Sequence, residues 1–345
     1  MDFTFTEEQR MFADTARSVL ADTCQAADLR RMMTSGAARE AARWNAIVET
    51  GLTLMLLPES AGGMGLGETD FALIAEAAGY FALPEPLVES AGVAAPLLAA
   101  IAPQAPVLAD PAATIAIQHP INPFVADADT AAALLLHHDG ATHLVDPAAV
   151  KLTREPSIDP FRRLFHVGWA PDPATQIAGE AGLWRDALDR GALFAAAQGL
   201  GLAQRAVDLS VAYAKERTQF GKPIGSYQAI KHHLASAQVK IEFARPVVQA
   251  AAAEFANRDA YSRARISHAK LAALEAADLA CRTAVQVHGA MGYSWEVDVH
   301  VFLKRALALT FAWGDPTFHR TRVSMRLFGC PTGPDHTFAR GQTYA

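Results

Sequence analysis

Cysteine is scarce in this sequence. The 345-residue chain has three, Cys24, Cys281 and Cys330, far apart, odd in number and without a Cys-x-x-Cys pair. That pattern excludes a disulfide framework and a zinc cluster, and points to a reducing compartment. Long hydrophobic runs are missing too. The most apolar stretch, 93–109, is broken by Pro96, Pro103 and Pro106 and is too short and interrupted to span a bilayer. The opening MDFTFTEEQR is acidic, unlike a signal or transit peptide, so a cytoplasmic protein with no membrane partner is expected. A net charge of −6 gives no reason to expect nucleic acid. Metal spacing is absent: His232 and His233 are adjacent and face different ways on a helix, and His288, His300 and His319 lack carboxylate or cysteine partners. No Gly-x-Ser-x-Gly or Walker pattern occurs.

What the chain does have is alanine, which favours closely packed helices because it loses no side-chain entropy there. Three zones follow. Residues 1–103 read as helices: Thr6 and Gln9 form a capping box ahead of the helically spaced Met11, Phe12, Ala16, Val19 and Leu20. Trp44, Ile47 and Val48 mark a second helix, ended by the apolar run 52–57 and Pro58. The glycine-rich 62–67 lacks dinucleotide-loop spacing and reads as a tight turn before a helix near Glu68. Residues 104–180 carry proline and short alternating runs at 113–118, 131–137, 142–144 and 164–169, which predict a small, reduced β domain unable to enclose a ligand alone. Residues 181–345 predict long helices over 185–217, 226–257, 260–288, 298–311 and 316–327, an antiparallel bundle with a tail. The expected fold is therefore mainly α. Between Gly201 and Cys330, 17 Lys and Arg stand against 10 Asp and Glu. Such a basic segment on an acidic protein suits a small anionic ligand such as a nucleotide cofactor, or else solvated helix faces.

Three segments carry a family likeness. The runs 201–208, Tyr213-Ala-Lys-Glu-Arg-Thr-Gln-Phe-Gly-Lys-Pro-Ile and Tyr227-Gln-Ala-Ile are followed by Ala284-Val-Gln-Val-His-Gly-Ala-Met-Gly-Tyr, and the early helices bring Leu57-Pro-Glu and Gly62-Gly-Met-Gly-Leu. In order and separation these resemble the acyl-CoA dehydrogenase family over about two-thirds of the chain. The resemblance implies FAD lying across a subunit boundary, with one subunit's bundle gripping the pyrophosphate and adenosine of its neighbour's flavin. It assigns that grip to Arg217, Gln219 and Phe220, with Gln228 nearby, and to Gln286, Gly289 and Ala290, where small residues admit close approach. Read structurally instead, Arg217 is a helix-end charge facing the dipole, and Gln286–Gly289 a helix C-cap.

The departures are as informative. The family's reaction removes a weakly acidic α-proton with a positioned carboxylate while hydride leaves to flavin. Alignment back from Arg320 puts Trp313 at the usual base position, followed by Gly314 and Asp315; Gly191 stands at the position used by a second branch, and Ala192 replaces a substrate-facing arginine. Asp189 and Asp315 are the nearest carboxylates, otherwise a solvated helix residue and a helix cap. The flavin-ring strands have no counterpart in 104–180. The chain thus resembles the base-less partner subunit of heterotetrameric bacterial acyl-CoA dehydrogenases acting on steroid side-chain thioesters. That implies an α2β2 complex with a homologous complete subunit, an acyl-CoA substrate and an electron-transfer acceptor, in lipid or steroid degradation. Two alternatives stand beside it: a self-sufficient homo-oligomer using Asp315 or Asp189, and a flavin-free helical assembly or binding protein.

Overall fold

A computed structural model describes residues 4–178, 181–333 and 336, so most of the expected tail, and the predicted boundary at 180, lie outside the described residues. The N-terminal helices are α1 (Glu7–Thr23), α2 (Ala26–Ser35), α3 (Ala41–Glu49), α4 (Glu68–Tyr80) and α5 (Ala95–Ile101), with a π-helical stretch Val88–Ala94 ahead of α5. The capping box forms reciprocally: Gln9 N–H donates to Thr6 Oγ1 and Thr6 N–H to Gln9 Oε1, each at 3.1 Å. Helix α2 escaped the sequence reading because its buried face is only Leu29 and Met32. The turn 62–67 ends where Gly67 N–H donates to Asp70 Oδ2 at 2.8 Å, opening α4.

The middle segment holds more strands than its pattern announced. A four-stranded sheet has the order β1 (Ile115–Ile117), β3 (Ala133–His138), β4 (Ala141–Val145), β7 (Gln176–Ala178), with β1 parallel to β3. A second, antiparallel sheet has the order β2 (Phe124–Ala126), β6 (Leu164–Gly168), β5 (Lys151–Glu155). Between them lies a small core of Ala116, Val125, Leu134, Leu136 and Phe165. Strands β2, β5 and β7 were missed because two are three residues long, and β5 is largely solvent-facing.

The bundle consists of α6 (Ala181–Glu216), α7 (Gln228–Ala253), α8 (Ala260–His288), α9 (Val299–Phe311) and α10 (Pro316–Gly329), close to the predicted spans. A two-strand hairpin, β8 (Thr218–Gln219) and β9 (Lys222–Pro223), links α6 to α7. Helix α4 crosses α6 backbone to backbone: a Cβ on Gly201 would overlap the Glu76 carbonyl, and one on Gly79 the Gln198 carbonyl. One continuous hydrophobic core therefore joins the N-terminal helices to the bundle, from Ala16 to Trp313, and takes in Ile115, Ile117 and Leu135 of the sheet. The chain is mainly helical, as its periodicity predicted, and no helix among the described residues is long and apolar enough to cross a membrane.

Candidate functional site

Two places gather the residues singled out by sequence. The first is the end of the bundle where α6 runs into the hairpin. Phe220 and Gly221 both have positive φ, 50° and 81°, the two-residue turn that matches strand twist but that glycine and asparagine normally fill. A phenylalanine held there is locally strained, and its ring is 93% exposed. Tyr227 Oη donates to the Gln219 carbonyl at 3.2 Å and Ile224 N–H to the Arg217 carbonyl at 2.8 Å, so the turn is braced from both sides. The Tyr213 ring stacks on His288 at 4.2 Å, bringing the end of α8 to the end of α6. Arg217, Gln219, Phe220, Gln228, Gln286, Gly289 and Ala290 are all exposed there. The Arg217 guanidinium makes no hydrogen bond or ion pair with any described residue. Gly289 ends α8 at φ 62°, ψ −139°, a conformation essentially restricted to glycine, with open space where a Cβ would stand.

The second place is the loop 312–315 between α9 and α10. Trp313 has φ 57° yet is buried, and its indole lies on Gly191: a Cβ there would overlap the ring. The loop is held from several sides. Trp313 N–H donates to His119 Nε2, whose ring lies 4.8 Å from the indole. His319, buried, pairs through Nε2 with the Trp313 carbonyl at 2.9 Å and through Nδ1 with Ser267 Oγ at 2.9 Å. The buried Lys270 donates to the carbonyls of Ala312 and Gly314, and to that of Thr310 at 3.3 Å. Burial lowers the pKa of both histidines to about 3, and burial with the nearby Arg162 charge lowers that of Lys270 to about 7, opposed by the Asp315 carboxylate.

The two carboxylates are both occupied by structure. Asp315 is the N-cap of α10, accepting from Phe318 N–H at 2.7 Å. Asp189 is not a solvated helix residue: it is 2% exposed, between Arg322 at 2.6 Å and Arg263, which also binds Asp186. Burial raises its pKa while the two arginines oppose that shift.

FAD can be tested against both places. At the bundle end, an unpaired guanidinium, a bare aromatic face and an open glycine suit a pyrophosphate and an adenosine. At the end of β1 the polar groups are already used: Gln118 Oε1 accepts from His137 N–H at 2.8 Å and His119 from Trp313 N–H, leaving neither acceptor to face a flavin ring. A chamber of about 260 Å³ lies between the sheets and α9, walled in part by Ile115, Ile117, Phe311 and Trp313, and ending at Glu89, Asp127 and Arg162. It is smaller than the usual cofactor pocket of roughly 300–1,000 Å³. Sequence reasoning missed this chamber and the Lys270, His119 and His319 contacts. Only Lys270 left a signal: it falls in phase with Ile266, Ala273 and Ala277 on the buried face of α8. No group of three or more potential metal ligands occurs among the described residues.

A family model described as "Acyl-CoA dehydrogenase, C-terminal domain" matches residues 176–328, and one for the N-terminal domain matches residues 6–102. Acyl-CoA dehydrogenase IpdE2 of Mycobacterium tuberculosis is 32% identical over 87% of this chain and 91% of its own length. IpdE2 of Mycolicibacterium smegmatis is 31% identical over 94% and 100%. Among solved structures, the ChsE4–ChsE5 complex of M. tuberculosis superposes with a TM-score of 0.86 at 24% identity, covering 96% of this chain and 100% of that one. The Tcur3481–Tcur3483 steroid ACAD superposes at 0.84 with 22% identity, covering 93% and 98%. The chain belongs to the acyl-CoA dehydrogenase family, whose members are FAD-dependent oxidoreductases acting on acyl-CoA.

Proposed function

We propose that this chain is the base-less subunit of a heteromeric FAD-dependent acyl-CoA dehydrogenase, and that it grips the pyrophosphate and adenosine of a flavin whose ring is held by a homologous complete subunit. One observation carries the reading. The Trp313 indole sits on Gly191, so the two chain positions where the family places its base are filled by each other. An indole carries no proton-accepting group, and loop 312–315 is held in this arrangement by His119, His319 and Lys270. The exposed, unpaired Arg217 and the braced Phe220 turn support the second half of the proposal. Arg217 would hold phosphate oxygens, Phe220 the adenosine side, and Gln286, Gly289 and Ala290 the backbone approach. FAD supplies hydride acceptance when bound; this chain's part is to hold one end of it.

The substrate class we favour is a steroid side-chain CoA ester, since one structural relative is named a steroid ACAD. Two structural relatives are named as pairs of components, which supports an unlike partner. Asp189 between two arginines and Asp315 on a helix N-terminus argue against a self-sufficient enzyme. The test is expression alone and with the neighbouring subunit, each followed by a visible absorption spectrum. The chain alone should hold little FAD, and the complex should be yellow with fewer flavins than chains. One tightly bound flavin per chain in the isolated protein would overturn the proposal.

A further inference from the structure

The β3–β4 hairpin gathers three histidines that neither place described above uses. Asp139 and Gly140 form its two-residue turn, both with positive φ, 46° and 82°, the geometry that matches strand twist. Its register sets His137 opposite Thr142, His138 opposite Ala141 and Leu136 opposite His143. Because side chains alternate along a strand, His138 and His143 share one face and His137 takes the other. A tryptophan meets each face. The Trp169 ring lies 5.0 Å from that of His143 and 6.4 Å from that of His138, and the Trp184 ring of α6 lies 5.3 Å from that of His137. Trp184 is buried, and its Nε1–H donates to the buried Thr142 Oγ1 at 2.7 Å, which fastens the hairpin to the first turns of α6. His137 N–H also donates to Gln118 Oε1 at 2.8 Å, next to the His119 that holds loop 312–315, so a shift of the hairpin reaches the end of β1.

We propose that this hairpin is an acid-released clasp: its uncharged histidines seat the middle sheets on α6 through Trp184, and their protonation lifts His137 and Thr142 from that indole. Three rings on one turn can each take up a proton, and the hairpin carries a single carboxylate against them, the exposed Asp139, which pairs with His138 at 3.3 Å. The elements packed against it add little. Trp169 and Trp184 are uncharged, the Asp172 carboxylate accepts from Ala174 N–H, and Arg154 of β5 and Arg185 of α6 are exposed cations. His143 donates through Nδ1 to Thr175 Oγ1 at 3.0 Å, since that hydroxyl gives its own proton to the Asp172 carbonyl, which leaves His143 Nε2 to take one up in acid. Burial lowers the pKa of His137, and the charges of His138 and His143 lower it further against Asp139. An imidazole whose folded pKa lies below the unfolded one, near 6.5, contributes stability that is fully present above about pH 6.5 and is lost as the pH falls. The attraction of an imidazolium for an indole opposes release at one ring, whereas repulsion acts among all three. The inference goes beyond the proposed function and does not depend on it, because no residue at the bundle end takes part.

Hydrogen exchange of the indole N–H groups tests the clasp, followed by NMR on the full chain between about pH 7.5 and 5 and corrected for the intrinsic pH dependence of exchange. Trp44 is the internal standard, because its Nε1–H donates to the Ala112 carbonyl at 2.8 Å and its ring meets Arg39 rather than a histidine. Protection of the Trp184 N–H should fall by about tenfold or more across that range, the scale of one to three linked protons, while that of Trp44 changes far less. The triple variant His137→Gln, His138→Gln and His143→Gln should lose most of the fall. His138→Gln alone, at an exposed position, should lessen it and serves if the triple variant does not fold. Trp184 protection that stays level with pH, that falls in step with Trp44, or that falls as steeply in either folded variant overturns the proposal. Flavin content of the complex is read separately, so failure here and failure of the shared-flavin reading are distinguishable.

Discussion

A guanidinium at the end of a helix has two ordinary uses, facing the helix dipole or meeting an anion, and Arg217 separates them by having no described partner. Many of the cations in the basic segment 201–330 are spoken for: Arg263 and Arg322 by Asp189, Arg305 by Asp159, Arg282 by Asp278. Replacing Arg217 by Ala should cost the complex about 1.5–3 kcal/mol of FAD affinity, roughly tenfold to hundredfold, with the fold intact. Equilibrium dialysis of flavin from the reconstituted complex measures this. The carboxylates give the complementary prediction. Asp315→Asn keeps a good N-cap, so both stability and turnover should stay near wild type, within about tenfold in rate, whereas losing a true base costs about 10²–10⁴-fold. Asp189→Asn leaves buried arginine charge unpaired and should destabilise the fold by on the order of 3 kcal/mol, while turnover per folded complex hardly changes. Urea melts alongside steady-state rates separate the two effects. Abolished turnover in either variant would restore a self-sufficient enzyme.

At the scale of the element, the loop joining α9 to α10 makes a pH prediction. His119 and His319 are held neutral with pKa values lowered to about 3, whereas unfolded histidines take up protons near 6.5. The stability they contribute is therefore fully present above about pH 6.5 and is lost as the pH falls toward about 3. Within that window each histidine costs up to about 1.4 kcal/mol per pH unit. Denaturant melts between pH 7 and 4 should show this fall, and His319→Gln, weaker at pH 7, should show a shallower one. A variant with the wild-type slope would mean that the His319 ring titrates without effect on folding. The hairpin between α6 and α7 shows the converse case. Its strain at Phe220 serves no packing, since the ring it presents is almost wholly in solvent.

For the whole molecule the telling feature is apolar surface. Phe220, Phe243, Tyr293, Trp295, Phe311 and Phe328 are each more than 60% exposed, and all belong to the C-terminal half. That much aromatic surface on one half marks association. We expect an α2β2 assembly of unlike pairs when the partner is co-expressed. Native mass spectrometry or light scattering should give two copies of each chain. A monodisperse monomer in the partner's presence would contradict that assembly.

By itself the sequence determined the long helices and the turn that presents Arg217. Helix periodicity, glycine and proline breaks and capping boxes are local properties, so α8 and the capping of α1 were legible residue by residue. The family resemblance also aligned Trp313 and Gly191 with positions where a base is expected. It did not disclose that the two touch, because they are far apart in the chain and meet only when α6 packs beneath the α9–α10 loop. Strands of three residues carried too little alternation to be recognised, as β2 and β7 show. Only the tertiary structure decided which charges are paired. Asp189, by sequence a candidate base or else a solvated helix residue, is buried between arginines; Lys270, which the sequence did not single out, fastens a loop; Glu89, Asp127 and Arg162 had no relation until three segments closed on one chamber. The physical reason is that secondary structure follows from near neighbours along the chain, whereas burial, pairing and the cost of leaving a group unpaired depend on which distant segments meet.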